Sequence, residues 1–118
     1  MEFMRNTLEL PEGIAGIVMV IHTFGEYLKH WHPHLHCLLA DGLFLRSGLF
    51  HVMPPQVSLK PLEELFRARV ITLLVDKELL WAERAQMLRG WKHSGFNVHR
   101  SRQVHTHQRD DLERLAQY

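Results

Sequence analysis

The sequence predicts an α+β domain in which a meander of antiparallel strands is followed by helices. Two observations lead to this fold class. Apolar and β-branched segments between residues 14 and 53 are separated by turn signals such as Asp41-Gly42. After Pro61 the apolar residues instead recur at helical spacing. The chain has 118 residues, of which 46% are hydrophobic and 23% charged, so it is long enough to enclose one core.

Four strands are predicted in the first half of the chain: Ile14 to Thr23, His34 to Ala40, Leu43 to Arg46, and Leu49 to Met53. The first is so rich in β-branched residues that we expect it to be buried on both faces. Residues 1–13 are interpreted as a polar leading segment that ends in the turn-like Pro11-Glu12-Gly13. Pro54-Pro55 ends the meander, because proline cannot donate to a strand ladder.

Three helices are predicted in the second half: Pro61 to about Asp76, about Ala82 to Trp91, and Asp110 to Tyr118. The inner face of the first of them is expected to consist of Leu62, Leu65, Phe66, Val70, Leu73 and Leu74. Between the second and third helices, Phe96 to His99 follows a Ser-Gly pair and is predicted to be a further strand.

Three histidines alternate with other residues in the run His32-Pro33-His34-Leu35-His36. Pro33 disfavours a helix here, and alternate residues of an extended strand point to one face. The run leads into Cys37 to Ala40, an apolar segment expected to be buried. Polar imidazoles are unusual next to an apolar core, and binding of a divalent metal would explain their position. Neutral imidazole is the commonest metal ligand in proteins. The alternative is a solvated run of histidines.

Charge and cysteine content narrow the class of protein. The net charge is +1, but the end of the chain from Arg89 is locally basic, which is compatible with a phosphate-rich partner and equally with a solvated surface.

The single cysteine, Cys37, excludes an internal disulfide and is interpreted as a small core residue in a reducing compartment. The longest apolar stretch, Ile14 to Ile21, is too short to span a bilayer, so we expect a cytoplasmic protein.

The run VIHTFGEYLKHWHPHLHCLLADGLF resembles the core motif of rolling-circle insertion-sequence transposases, the IS-ninety-one-like group of the HUH endonuclease superfamily. The stretches LEELFRARVITLLV, WKHSGFNVH and LERLAQY resemble that group in the same order, so the resemblance extends from about Ile14 to Tyr118. It implies a central antiparallel sheet flanked by helices. It also implies metal ligation by His34 and His36, attack by Tyr118, a divalent cofactor (Mg²⁺ or Mn²⁺), and single-stranded DNA at bacterial transposon ends as partner.

The resemblance leaves the third metal ligand open. His32 and His99 are candidates, as are Asp110 and Glu113 on the last helix, or a group beyond the chain. The DNA-binding residues are expected to be basic side chains of the last third of the chain: Lys92, Arg100 and Arg102. Trp31 or Phe96 are possible base-stacking residues, although both are also typical core residues.

The chain departs from that group in several respects. Members often carry a second tyrosine on the same helix face, but Arg114 stands four residues before Tyr118. The group's cysteine-rich zinc region is also missing. The segment that follows the tyrosine in that group is also absent, and the last predicted helix reaches Tyr118 without a C-terminal cap. We therefore expect residues 1–118 to be a single, C-terminally truncated catalytic domain that binds metal and single-stranded DNA but cleaves poorly or not at all.

Two other functions fit the same residues. One is a transposase remnant that binds DNA without cleaving it. The other is a histidine-rich metal-binding domain unrelated to DNA, for which His105-Thr106-His107 is a second histidine pair.

Overall fold

The computed structural model describes the backbone of residues 1–24, 31–101, 103–105 and 107–116, with the side chains of these residues apart from 23, 24, 31, 32, 115 and 116. Within these residues the predicted α+β fold is confirmed: four helices accompany two small antiparallel sheets. The chain divides into two compact units, Met1–Pro54 with Arg102–Tyr118, and Pro55–Ser101. The assignment of the whole chain to one domain stays a prediction.

The first unit contains both sheets. Its elements are α1 (Glu2–Leu8), β1 (Ile17–Phe24), β2 (Trp31–Leu39), β3 (Gly42–Phe44), β4 (Phe50–Val52) and α4 (Arg109–Ala116). In the described residues β1 pairs with β2 and β3 pairs with β4, both antiparallel. Ile14 and Phe44 exchange two backbone hydrogen bonds of 2.8 Å. These bonds join the residues that precede β1 to strand β3. Gly42 is required where β3 meets β4, because a Cβ there would collide with the His51 carbonyl oxygen.

The expectation that β1 is buried on both faces was wrong. Val18 is 63% exposed and Ile21 is 70% exposed, and Cys37 on β2 is exposed rather than in a core. In the part of the chain that the structure describes, β1 and β2 form a two-stranded sheet. Burial of a strand on both faces needs a packed layer on each side of the sheet, which pairing along one edge does not supply.

The core of the first unit forms around Leu43, which is fully buried, with Met4 and Met53 also buried. Met4 lies on α1, a helix missed in the polar leading segment. Glu9 caps the end of this helix: its φ of 56° is left-handed, and its N–H donates to the Asn6 carbonyl. A seven-residue helix has too little intrinsic stability to be predicted from composition, so burial of Met4 decides its formation.

The second unit is built on α2 (Lys60–Asp76) and α3 (Ala82–Gly90), close to the predicted bounds. Ile71 of α2 and Ala85 of α3 are buried. The predicted inner face is wrong at three positions: Leu73 is 54% exposed, whereas Ile71 and Arg67, which it did not include, are buried. Across all described residues, no helix combines the length and the apolar character that crossing a membrane requires.

The strand predicted at Phe96 to His99 is wrong, since this segment has no regular secondary structure. The Phe96 ring instead packs edge-on against Phe66 of α2, with ring centroids 5.5 Å apart. The N–H of Val98 donates to Glu63 Oε2 at 3.4 Å. The alternating apolar residues are therefore used for packing against a helix rather than for pairing with a strand.

Glu63 makes the stability of this part of the fold depend on pH. Lys60 Nζ donates to Glu63 Oε1 at 2.9 Å, and this hydrogen bond holds the pKa of Glu63 below its usual 4.5. Its stabilisation is therefore present above pH 4.5 and lost as the pH falls through the lowered pKa of the folded state. We expect Glu63→Gln to flatten the acid limb of the unfolding free energy, measured by urea unfolding across pH. Glu83→Gln is the control, and an unchanged acid limb in Glu63→Gln would contradict the assignment.

Candidate metal centre

Three histidine side chains lie together on one face of the β1–β2 sheet. The antiparallel register sets His22 of β1 opposite His34 of β2, and Val20 opposite His36. Since alternate residues of a strand share a face, and directly paired residues do too, His22, His34 and His36 all project to the same side. The Pro33 and Leu35 positions belong to the opposite face.

The three imidazoles are close enough to bind one ion. The ring centroids of His22 and His36 are 4.7 Å apart, those of His34 and His36 are 4.9 Å apart, and those of His22 and His34 are 5.3 Å apart. One ring nitrogen from each lies within 4.8 Å of the other two. Two nitrogens that each bind an ion at about 2.1 Å are at most about 4.2 Å apart, so small side-chain rotations would complete the site.

An unsatisfied nitrogen supports metal ligation by His22. His22 Nε2 is buried and has no hydrogen-bond partner among the described residues. A buried polar atom left without a partner costs on the order of 1–3 kcal/mol. Ligation of a cation by this nitrogen would remove that cost, and neutral imidazole is well suited to divalent transition metals. The residues present therefore fit a divalent ion.

Among the described residues, the other predicted ligands do not join this cluster. The side chain of His32 is outside the described residues, and His99 belongs to the second unit. Asp110 and Glu113 lie on α4. His105 and His107 stack with their ring centroids 5.6 Å apart, but the described residues provide no third ligand for them. Within the described chain, the one group of at least three metal-ligating residues is that of His22, His34 and His36.

Helix α4 precedes the predicted nucleophile, Tyr118, which itself is outside the described residues. Gln103 Nε2 donates to Asp41 Oδ2 at 2.8 Å, so the segment before α4 contacts the turn that follows β2. Gln108 organises the start of α4: its Oε1 accepts from the His105 N–H at 2.9 Å, and its Nε2 donates to Asp111 Oδ2 at 3.1 Å. The strand that carries His34 and His36 and the helix that leads to Tyr118 are thus part of one unit.

The predicted DNA-binding residues fall partly in the second unit. Lys92 and Arg100 are exposed in the segment that follows α3, and Arg100 Nη1 donates to the Pro55 carbonyl at 3.5 Å. Arg102 is outside the described residues.

A protein-family model described as "Putative transposase" (Y2_Tnp) matches residues 16–118, which include both the histidine cluster and α4. The chain belongs to this transposase family. No curated protein and no solved structure matches it. The partner of a transposase is DNA, so the basic side chains and the histidine cluster belong to a DNA-processing protein.

The third histidine of the transposase cluster was missed in the sequence. His22 is the single histidine of β1, in a strand otherwise made largely of apolar residues. A histidine in an otherwise apolar strand is a sequence feature that could have marked His22 as a candidate metal ligand. His22 can be assigned to the site only when the pairing register with β2 is known, because His22 and His34 are twelve positions apart in the sequence.

Proposed function

We propose that this transposase is an HUH-type enzyme of the IS-ninety-one-like group. It cleaves and joins single-stranded DNA at transposon ends through a covalent bond to Tyr118. His22, His34 and His36 would hold a divalent ion, Mg²⁺ or Mn²⁺. The observation that carries this proposal is the cluster of three imidazoles on one face of the β1–β2 sheet, in a chain of a transposase family.

The proposed step is a transesterification. The Tyr118 hydroxyl oxygen attacks the phosphorus of a phosphodiester, a P–O bond to tyrosine forms, and the P–O3′ bond breaks. The tyrosine hydroxyl loses its proton and the leaving 3′ oxygen takes one up, so the products are a 5′-phosphotyrosine and a free 3′-hydroxyl. Attack by a 3′-hydroxyl on the phosphotyrosine reverses the step and joins strands without any other energy source. A tyrosine hydroxyl with its ordinary pKa near 10 is a weak nucleophile at neutral pH. The bound ion would supply Lewis-acid polarisation of the phosphate and a template for it.

The roles of the chain's own residues follow from their positions. The histidine side chains would present nitrogen ligands on one face of the β1–β2 sheet. Val18, Val20 and Leu38 of the same face are exposed, and this face would receive an extended strand. Lys92, Arg100 and Arg102 contribute positive charge for the DNA phosphates. As a bacterial transposase it would act in the cytoplasm, where bacterial DNA lies. The direct test is a covalent protein–DNA adduct that depends on both Tyr118 and a divalent ion.

Salt sensitivity tests the phosphate contacts. Binding of a single-stranded oligonucleotide is expected to weaken as salt rises, with a slope of log K against log salt of about −0.7 per phosphate contacted. The double variant Lys92→Ala/Arg100→Ala should make that slope less negative by about 1.4, because two contacts are lost. The measurement is fluorescence anisotropy of a labelled oligonucleotide at several salt concentrations.

Lys77→Ala is the control for this experiment. Lys77 is also exposed in the second unit, but Asp76 and Glu78 flank it, so its removal should leave the slope unchanged. Binding that is insensitive to salt, or equal for duplex and single strands, would contradict the proposed partner.

A further inference from the structure

Trp91 is a large aromatic side chain that remains half exposed at the end of α3. Its exposed fraction is 51%, and its backbone follows directly on the last residue of the helix. An exposed indole offers a broad flat surface whose burial against another flat ring is favourable. Phe96, the aromatic residue of this segment expected to stack on bases, is engaged instead with Phe66.

A buried arginine holds the backbone of Trp91 in place. The Arg67 side chain is buried, and its Nη2 donates to the carbonyl oxygens of Leu88, Arg89 and Trp91; the last two contacts are 2.7 and 3.3 Å. These carbonyls belong to the end of α3, where backbone acceptors lack helical partners and favour a cation. The indole of Trp91 therefore projects from an ordered helix end rather than from a free loop, so less entropy is lost when it binds.

The charge around Trp91 selects the class of partner. From Arg84 to Arg109 the sequence contains no aspartate or glutamate. The basic residues of this stretch are Arg84, Arg89, Lys92, Arg100, Arg102 and Arg109, and its histidines are His93, His99, His105 and His107. A groove or segment that combines positive charge with an exposed aromatic ring is the arrangement that binds single-stranded nucleic acid.

Trp81 provides a contrast within the same unit. It is more exposed than Trp91, at 80%, and Leu79, two positions before it, is 73% exposed. However, the charges next to it include Glu78 and Glu83, and these oppose phosphate. Exposure of an indole alone is thus not the criterion; Trp91 differs in that the stretch of sequence from Arg84 to Arg109 contains no acidic residue. The acidic side chain that the neighbouring helix α2 brings near it, Glu64, is paired with Arg67 Nη1 at 3.4 Å.

We propose that Trp91 stacks on a base of single-stranded DNA whose phosphates are contacted by Lys92 and Arg100. This proposal rests on the single-stranded DNA binding of the proposed function and adds a specific contact in the second unit. Stacking requires a base whose face is free, so the contact would favour single strands over duplex. It would tolerate changes of base, since every base has an aromatic face.

The test compares Trp91→Ala, Trp91→Phe and Trp81→Ala with the unchanged chain. The probe is a fluorescein-labelled single strand of mixed sequence, about 20 nucleotides long, so that it exceeds the usual site size. Trp91→Ala should weaken binding about 5- to 150-fold, the range measured for loss of one stacking residue. Trp91→Phe should lose less, because a smaller ring remains, and Trp81→Ala should bind normally. The salt slope should not change in any of them, since no charge is removed.

A spectroscopic measurement on the same strand complements the affinities. In a Trp31→Phe/Trp81→Phe variant, Trp91 is the remaining tryptophan of the three in the chain. Its fluorescence should be quenched by the unlabelled oligonucleotide, and the bound indole should be protected from acrylamide. Circular dichroism establishes that each variant is folded before its affinity is compared.

Several outcomes would overturn the proposal. Equal affinity of Trp91→Ala and the unchanged chain, where the latter binds single strands, would reject stacking but leave the proposed function intact. An equal loss for duplex and single strands would also reject it, because paired bases do not offer a free face. Failure of the unchanged chain to bind any single strand would reject both the proposed function and the stacking contact. A loss in Trp91→Ala without any fluorescence change at Trp91 would assign the residue to folding or to a protein contact.

Discussion

The Tyr118→Phe variant is expected to form no covalent adduct with single-stranded DNA under conditions in which the unchanged chain forms one. Phenylalanine keeps the ring but lacks the hydroxyl oxygen that would bond to phosphorus, so the loss should be complete rather than partial. The assay uses oligonucleotides carrying transposon-end sequence, incubated with Mn²⁺ and separated on a denaturing gel.

The position of the label distinguishes the proposed chemistry from its alternatives. A 5′-phosphotyrosine keeps the downstream DNA, so a 3′-end label should migrate with the protein. A 5′-end label should appear on a shorter free strand that ends in a 3′-hydroxyl. Tyr27→Phe is the matched control, since Tyr27 is the other tyrosine of the chain, and it should retain the adduct. An adduct that persists in Tyr118→Phe would show that a residue other than Tyr118 is the nucleophile.

Removing a histidine of the cluster is expected to have the second largest effect. His34→Ala and His36→Ala should each lower Mn²⁺ affinity by at least about 100-fold. Loss of a residue that only hydrogen-bonds to a metal ligand already lowers metal affinity about 10- to 100-fold, and loss of the ligand itself should cost more. Both should also abolish adduct formation. The measurement is calorimetric titration of Mn²⁺ near neutral pH, and acidification should weaken binding because protons compete for the same nitrogens.

His22→Ala decides the third ligand. A loss of affinity comparable to that of His34→Ala is expected if His22 Nε2, buried and without a partner among described residues, binds the ion. His51→Ala is the control, because His51 is exposed on β4 of the same unit and is not part of the cluster. Normal Mn²⁺ binding by His22→Ala would instead favour His32 or His99. Equal affinities of His34→Ala and the unchanged chain would reject the metal centre.

Local sequence spacing was sufficient for the features that lie within one element. The α+β class, the main strands, and the bounds of α2 and α3 follow from the change of hydrophobic period near Pro61. The shared face of His34 and His36 follows from the two-residue period of an extended strand. These features need no knowledge of what else the chain contacts, because they depend on backbone geometry over a few residues.

Tertiary structure alone decided the features that depend on a distant partner. His22 joins His34 and His36 only through the antiparallel register of β1 and β2. Arg67 is buried because it meets the carbonyls at the end of α3, and the apolar residues at Phe96 and Val98 contact α2 instead of forming a strand. The physical reason is common to all three cases. The type of a residue limits which groups its side chain can bind. Which groups actually lie next to it depends on strand pairing and core packing between segments that are distant in sequence.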